Sequence, residues 1–176
     1  MKRLPYFSVY LLALMAFSAS AHQGATGVVK ERMDAMEAMK EAVNELKATF
    51  RGKPPFDVGV IQRNATIIRD HAGESLINMF PEGSMQKPTA AKPEIWENWE
   101  KFTASAMKLE TLSQALYDSA ERQEPKDNKG KSKKSLLSSK NQKNESLESL
   151  PANKIFRLVG KECSSCHKPF RVKKKK

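Results

Sequence analysis

Large apolar side chains recur at helical spacing in four stretches of this chain, and no segment shows the two-residue alternation of a half-buried strand. From about Val28 to Phe50, the residues Val29, Met36, Met39, Val43, Leu46 and Phe50 fall at steps of three, four and seven. That spacing predicts an amphipathic helix of roughly 23 residues, about 35 Å long at about 1.5 Å per residue. Gly52, Pro54 and Pro55 end it. Asp57 is placed to cap a second helix, whose predicted face carries Val58, Ile61, Ala65, Ile68, Ala72, Leu76 and Met79 before Pro81-Glu82-Gly83 breaks the chain.

A loop is predicted from Pro81 to Pro93, followed by a third helix with Pro93 in its first turn. Ile95, Trp96, Trp99, Phe102, Ala106, Leu109, Leu112 and Leu116 mark its predicted buried face out to about Arg122. Residues 123–148 are dominated by Lys, Ser, Asn, Glu and Gln, and read as a long, disordered, solvated insertion. A fourth helix is predicted from Ser149 or Leu150, with Pro151 in its first turn and Ile155, Leu158, Val159, Cys163, Cys166 and Phe170 toward the core. Four such helices make an all-α, antiparallel four-helix bundle the economical architecture.

The N-terminus does not belong to that bundle. Met1-Lys2-Arg3 precedes a largely apolar run from Leu4 to Phe17 that ends in Ser18-Ala19-Ser20-Ala21, the pattern of a secretory signal cut after Ala21. The run is shorter than the roughly 20 residues a spanning helix needs. Removing residues 1–21 takes Lys2 and Arg3 from the net charge of +11 and leaves a 155-residue chain at +9, the length of one domain, 22–176. The excess charge sits mainly in residues 126–143 and Lys173 to Lys176. No aromatic residues interleave those lysines and no recognition motif accompanies them, so nucleic acid is not an expected partner. An acidic redox protein or an anionic membrane surface fits the charge, as does a plain solubilising role.

The chemistry is concentrated near the C-terminus, in Cys163-Ser164-Ser165-Cys166-His167. Cys-x-x-Cys-His reads as a c-type haem attachment site. Cysteines three apart share a helix face, where both thiols can add across the vinyl groups of one porphyrin, and the adjacent imidazole can serve as the proximal iron ligand. Three other readings of the same residues stand beside it. Zinc would need His167 and a distant His22 or His71 to complete four ligands. A thioredoxin-like pair would sit near the start of a helix in a βαβ unit, and a structural disulfide needs no histidine. Export favours haem c, which is attached outside the bacterial inner membrane, and the expected location is the periplasm.

Several spaced stretches carry a family resemblance: Arg32-Met33-Asp34-Ala35-Met36, Gly52-Lys53-Pro54-Pro55-Phe56-Asp57, Phe80-Pro81-Glu82-Gly83-Ser84, Lys92-Pro93-Glu94-Ile95-Trp96 and Cys163 to Arg171. In this order they resemble the cytochrome c′ family, the class II c-type cytochromes. The resemblance implies one covalent haem c enclosed by the bundle, with Cys163 and Cys166 as thioether cysteines and His167 as the proximal axial ligand. Arg171 resembles the basic residue beside that ligand, and Arg32 the first-helix arginine near the haem. Met33 falls near the haem where many members carry a polar residue. Met36 matches the distal position, where some members place a methionine sulfur on the iron and others leave the site open to NO or CO. By itself, Met36 reads as an ordinary packed core methionine, and it is the matching position that favours a ligand.

The expectation is therefore an exported monohaem electron carrier, not an enzyme, with iron held by His167 and Met36. Its redox partner is unidentified, and a homodimer is compatible with the sequence. A gas-binding protein for NO or CO is the alternative, and a Cys163/Cys166 thiol oxidoreductase is the weaker third.

Overall fold

The computed structural model describes residues 24–52, 56–122 and 146–173. The signal segment 1–21, His22, Lys53-Pro54-Pro55 and most of the Lys-rich insertion lie outside the described residues. Four long helices form the bundle: α1 (Gly27–Thr49), α2 (Val58–Asp70), α5 (Trp99–Arg122) and α6 (Ala152–Phe170). Two short ones, α3 (Gly73–Ile77) and α4 (Glu94–Glu97), lie in the connection between α2 and α5. Among the described residues there is no β-strand, only an isolated antiparallel bridge between Ala91 and Arg171. None of the described helices is long and apolar enough to cross a membrane.

Local chemistry accounts for most helix boundaries. Asp57 takes extended backbone geometry and its carboxylate accepts from the Val60 N–H at 3.0 Å, the N-cap expected from sequence. Gly52, at φ +75°, turns the chain out of α1 and donates its N–H to the Thr49 carbonyl. Pro151 precedes α6 instead of standing within its first turn. It follows a 3₁₀ turn, Leu147–Ser149, so the last residues of the expected insertion are structured and Leu147 packs on the core.

Two expected helices are broken. The second stops at Asp70 and resumes as α3, because Ala72 is extended and Gly73 adopts φ +55°. A side chain at Gly73 would run into the Glu110 carboxylate of α5, so the chain can pass here only as glycine unless Glu110 moves. The apolar phase survives the break: Ile61, Ala65, Ile68, Ala72 and Leu76 are all buried. The third helix breaks at Asn98, which separates α4 from α5. This turn leaves Trp99 37% exposed, so the expected core tryptophan is a surface residue.

The interior has two apolar parts. The larger, with Leu46, Ile61, Ile68, Leu116, Ile155 and Val159 fully buried, joins α1, α2, α5 and α6. Burial of each such side chain stabilises the fold by about 1.5–3 kcal/mol relative to exposure. Phe50, which caps the C-terminus of α1, stacks on Phe156 of α6 at 5.1 Å between centroids. The smaller part gathers Leu76, Phe80, Ile95, Phe102, Ala106 and Phe170, with Phe102 edge-on to both Phe80 (4.8 Å) and Phe170 (5.7 Å).

Candidate haem site

Met36 packs against both apolar parts, Cys163 against the larger and Cys166 against the smaller. Met36 on α1 and the cysteine pair on α6 thus each bridge the two apolar parts of the interior. α2 packs closely on α1 and α5, and α5 on α6, whereas the backbones of α1 and α6 stay further apart.

On α6, the cysteines and His167 are each half-buried. Both thiols are unpaired. Burial pushes the Cys163 thiol up, and burial, the Cys163 thiol and Glu162 together push Cys166 up to about 11. Burial and, less strongly, the Arg171 charge lower the His167 pKa from its ordinary value. The shift favours the neutral imidazole, the form that binds a metal through a ring nitrogen. Glu162, 6% exposed, faces α5: its carboxylate pairs with Lys108 at 2.8 Å and accepts from Ser165 at 3.3 Å. Burial alone would raise its pKa, but hydrogen bonds from Lys108 and Ser105 outweigh that and hold it low.

Arg32 is the unusual residue of α1, a guanidinium 3% exposed in an apolar setting. One terminal nitrogen donates to Ser84 Oγ at 3.1 Å, and the other to the Ser84 carbonyl and to Thr89 Oγ1 at 3.1 Å. Its carbon lies 4.9 Å from the centre of the Phe80 ring. Nε is buried without a hydrogen-bond partner. Burial lowers the pKa, and the group's hydrogen-bond partners are neutral oxygens. A buried cation with an unused donor is suited to an anionic carboxylate, and a porphyrin carries two propionates. Ser84, Thr89 and Phe80 were not singled out as site residues by sequence. The stretch Phe80 to Ser84 was the only signal.

The remaining expected residues divide. Met33 is half-buried one turn before Met36, and Arg171 is exposed just beyond α6, its backbone bridged to Ala91. His71 ends α2, and no group of three or more His, Cys, Asp or Glu among the described residues could hold a metal ion, which removes the support for zinc at His71.

Two free thiols and a half-buried histidine on the last helix, with a buried arginine on the first whose Nε has no hydrogen-bond partner, fit a covalently attached porphyrin. An all-α bundle with that attachment motif defines a c-type haem cytochrome. The sequence profile of the family "Cytochrome C'" matches residues 27–137, and the chain belongs to that family. Cytochrome c′ of Rhodopseudomonas palustris is 31% identical over 150 residues, covering 85% of this chain and 84% of the relative. Cytochrome c-556 of Agrobacterium fabrum is 28% identical, with the same coverage of each. The solved cytochrome c′ from Rhodopseudomonas palustris superposes with a TM-score of 0.63 at 26% identity, covering 86% of this chain and all of that one. The profile stops before α6, so the attachment motif is an observation independent of it.

Proposed function

We propose that this cytochrome is an exported, periplasmic one-electron carrier whose haem is attached through Cys163 and Cys166 and whose iron is held by His167 and Met36. The observation that carries this reading is that Met36 of α1 packs against both apolar parts of the interior, the same two parts against which Cys163 and Cys166 of α6 pack. When bound, the haem supplies a ferrous/ferric couple. A thioether opposite an imidazole favours the ferrous state and raises the reduction potential. Arg32 would hold a propionate through Nε, while Ser84 and Thr89 keep its fork in place. Arg171 adds positive charge beside His167, and Met33 stands one turn before Met36 on α1. The physiological partner is a redox protein, and a homodimer is a further expectation.

Gas binding at the iron is the second reading, because the same family holds open-site members and Met36 is only half-buried. The two differ in kinetics. If sulfur must leave before gas enters, CO binding to the ferrous holo-protein is expected to reach a rate ceiling that more CO does not lift. A rate that rises linearly with CO to high concentration would mean an open site and favour gas binding. The thiol-oxidoreductase reading fares worse on physical grounds. A reactive thiol needs a lowered pKa, and here both are raised in the C-terminal half of a helix, where the dipole opposes a thiolate.

A further inference from the structure

The last turn of α6 is closed by the Arg171 N–H, which donates to the His167 carbonyl at 3.1 Å, but it lacks a donor. Pro169 lies inside the helix and has no N–H to give, so one bond of the final turn is missing. The carbonyls at the end of a helix have no partner within it. Here they find one 77 residues away in sequence: Lys92, in the loop before α4, donates its backbone N–H to the Phe170 carbonyl at 3.0 Å and its ammonium to the Pro169 carbonyl at 2.9 Å. Val172 N–H donates in return to the Ala90 carbonyl at 2.8 Å. The ammonium also pairs with Glu94 at 2.5 Å.

One residue thus captures the two successive carbonyls of Pro169 and Phe170 in the turn that follows His167, and places a positive charge where the helix dipole is negative. The turn it clamps carries the imidazole. Residues that orient a ligand from outside its own coordination sphere fix ring orientation and tune the metal.

We propose that Lys92 is a positioning residue for His167, setting the orientation of the axial imidazole through the Pro169 and Phe170 carbonyls. This rests on His167 being the iron ligand. Lys92 stands in the stretch Lys92-Pro93-Glu94-Ile95-Trp96 that resembles the family, but its clamp on α6 gives it a role that the resemblance did not supply.

The test uses the ferric holo-protein and the hyperfine-shifted haem methyl resonances in its proton NMR spectrum, which report axial-ligand orientation. Lys92→Met is expected to change the spread of these resonances, and Lys92→Arg to keep it close to wild type. The double variant Lys92→Met with Glu94→Gln, which removes the ion pair without changing its net charge, is expected to show the altered spread as well. An unchanged spread in Lys92→Met, even with a lower melting temperature, would make Lys92 merely structural and overturn the proposal. A double variant that returns to the wild-type spread would overturn it too, since the effect would then be charge alone. His167→Ala separates the two levels: a spectrum indifferent to that change would remove the ligand assignment itself, whereas failure of the Lys92 variants alone leaves that assignment standing.

Discussion

Replacing Cys163 and Cys166 together by Ala is expected to abolish covalent haem, so that denaturation in acid and organic solvent strips all colour from the protein. Each attachment adds an S–H across a vinyl C=C, forming one C–S and one C–H bond with no electrons gained or lost, so each thiol contributes one tether. Either single variant should keep a weaker, one-tether attachment. The cysteines are unpaired, and each is a half-buried residue at the margin of one apolar part of the interior, so the double replacement removes little packing of its own. Its main energetic effect comes through the cofactor: a group bound by the folded state alone stabilises it, and losing the tether loses that linkage. The variant is expected to melt well below the holo-protein. Mass spectrometry of the denatured protein reads the outcome directly, and haem mass retained by the double variant would refute the attachment site.

Met36→Ala is expected to convert a low-spin protein to high-spin, lower its reduction potential and remove the ceiling on CO binding. Removing a soft sulfur from the iron removes a preference for the ferrous state. The packing effect is separate and smaller in scope. Met36 is half-buried, so truncation should cost about 2 kcal/mol, the low end for Met→Ala in a core. Lost stability with an unchanged spectrum would identify a packed methionine with no bond to the metal. The spin change distinguishes ligand from filler because a cavity alone does not alter coordination number.

Periodicity made the four long helices legible, since Leu46, Ile61, Leu116 and Ile155 sit on the faces it selected and are fully buried. It could not find the breaks at Ala72–Gly73 and Asn98, because the apolar phase runs through them: Ala72 and Leu76 stay on the buried side although the helix stops between α2 and α3. Trp99 shows the converse error. Its spacing fits the core, but the turn at Asn98 rotates it outward. The attachment motif of Cys163, Cys166 and His167 stands out in the sequence because it is local to five residues. The contacts that organise the rest of the site are not local. Arg32 meets Ser84 across 52 positions and Thr89 across 57, and Lys92 reaches Pro169 across 77, so no spacing in the sequence announces them. Arg32 itself was legible only through family resemblance, as a charged residue on an otherwise ordinary helix. Its burial and its unpartnered Nε are properties of the folded chain.

The central claim is that the iron of this cytochrome is held from both sides by side chains of the chain, His167 from α6 and Met36 from α1. Electron paramagnetic resonance of the purified ferric holo-protein at neutral pH tests it without any substitution. Two protein ligands predict a low-spin signal, and the electron-carrier assignment stands with it. A high-spin signal would show that Met36 does not bind the ferric iron, contradict the two-ligand account and shift the assignment to binding of NO or CO at an open distal face.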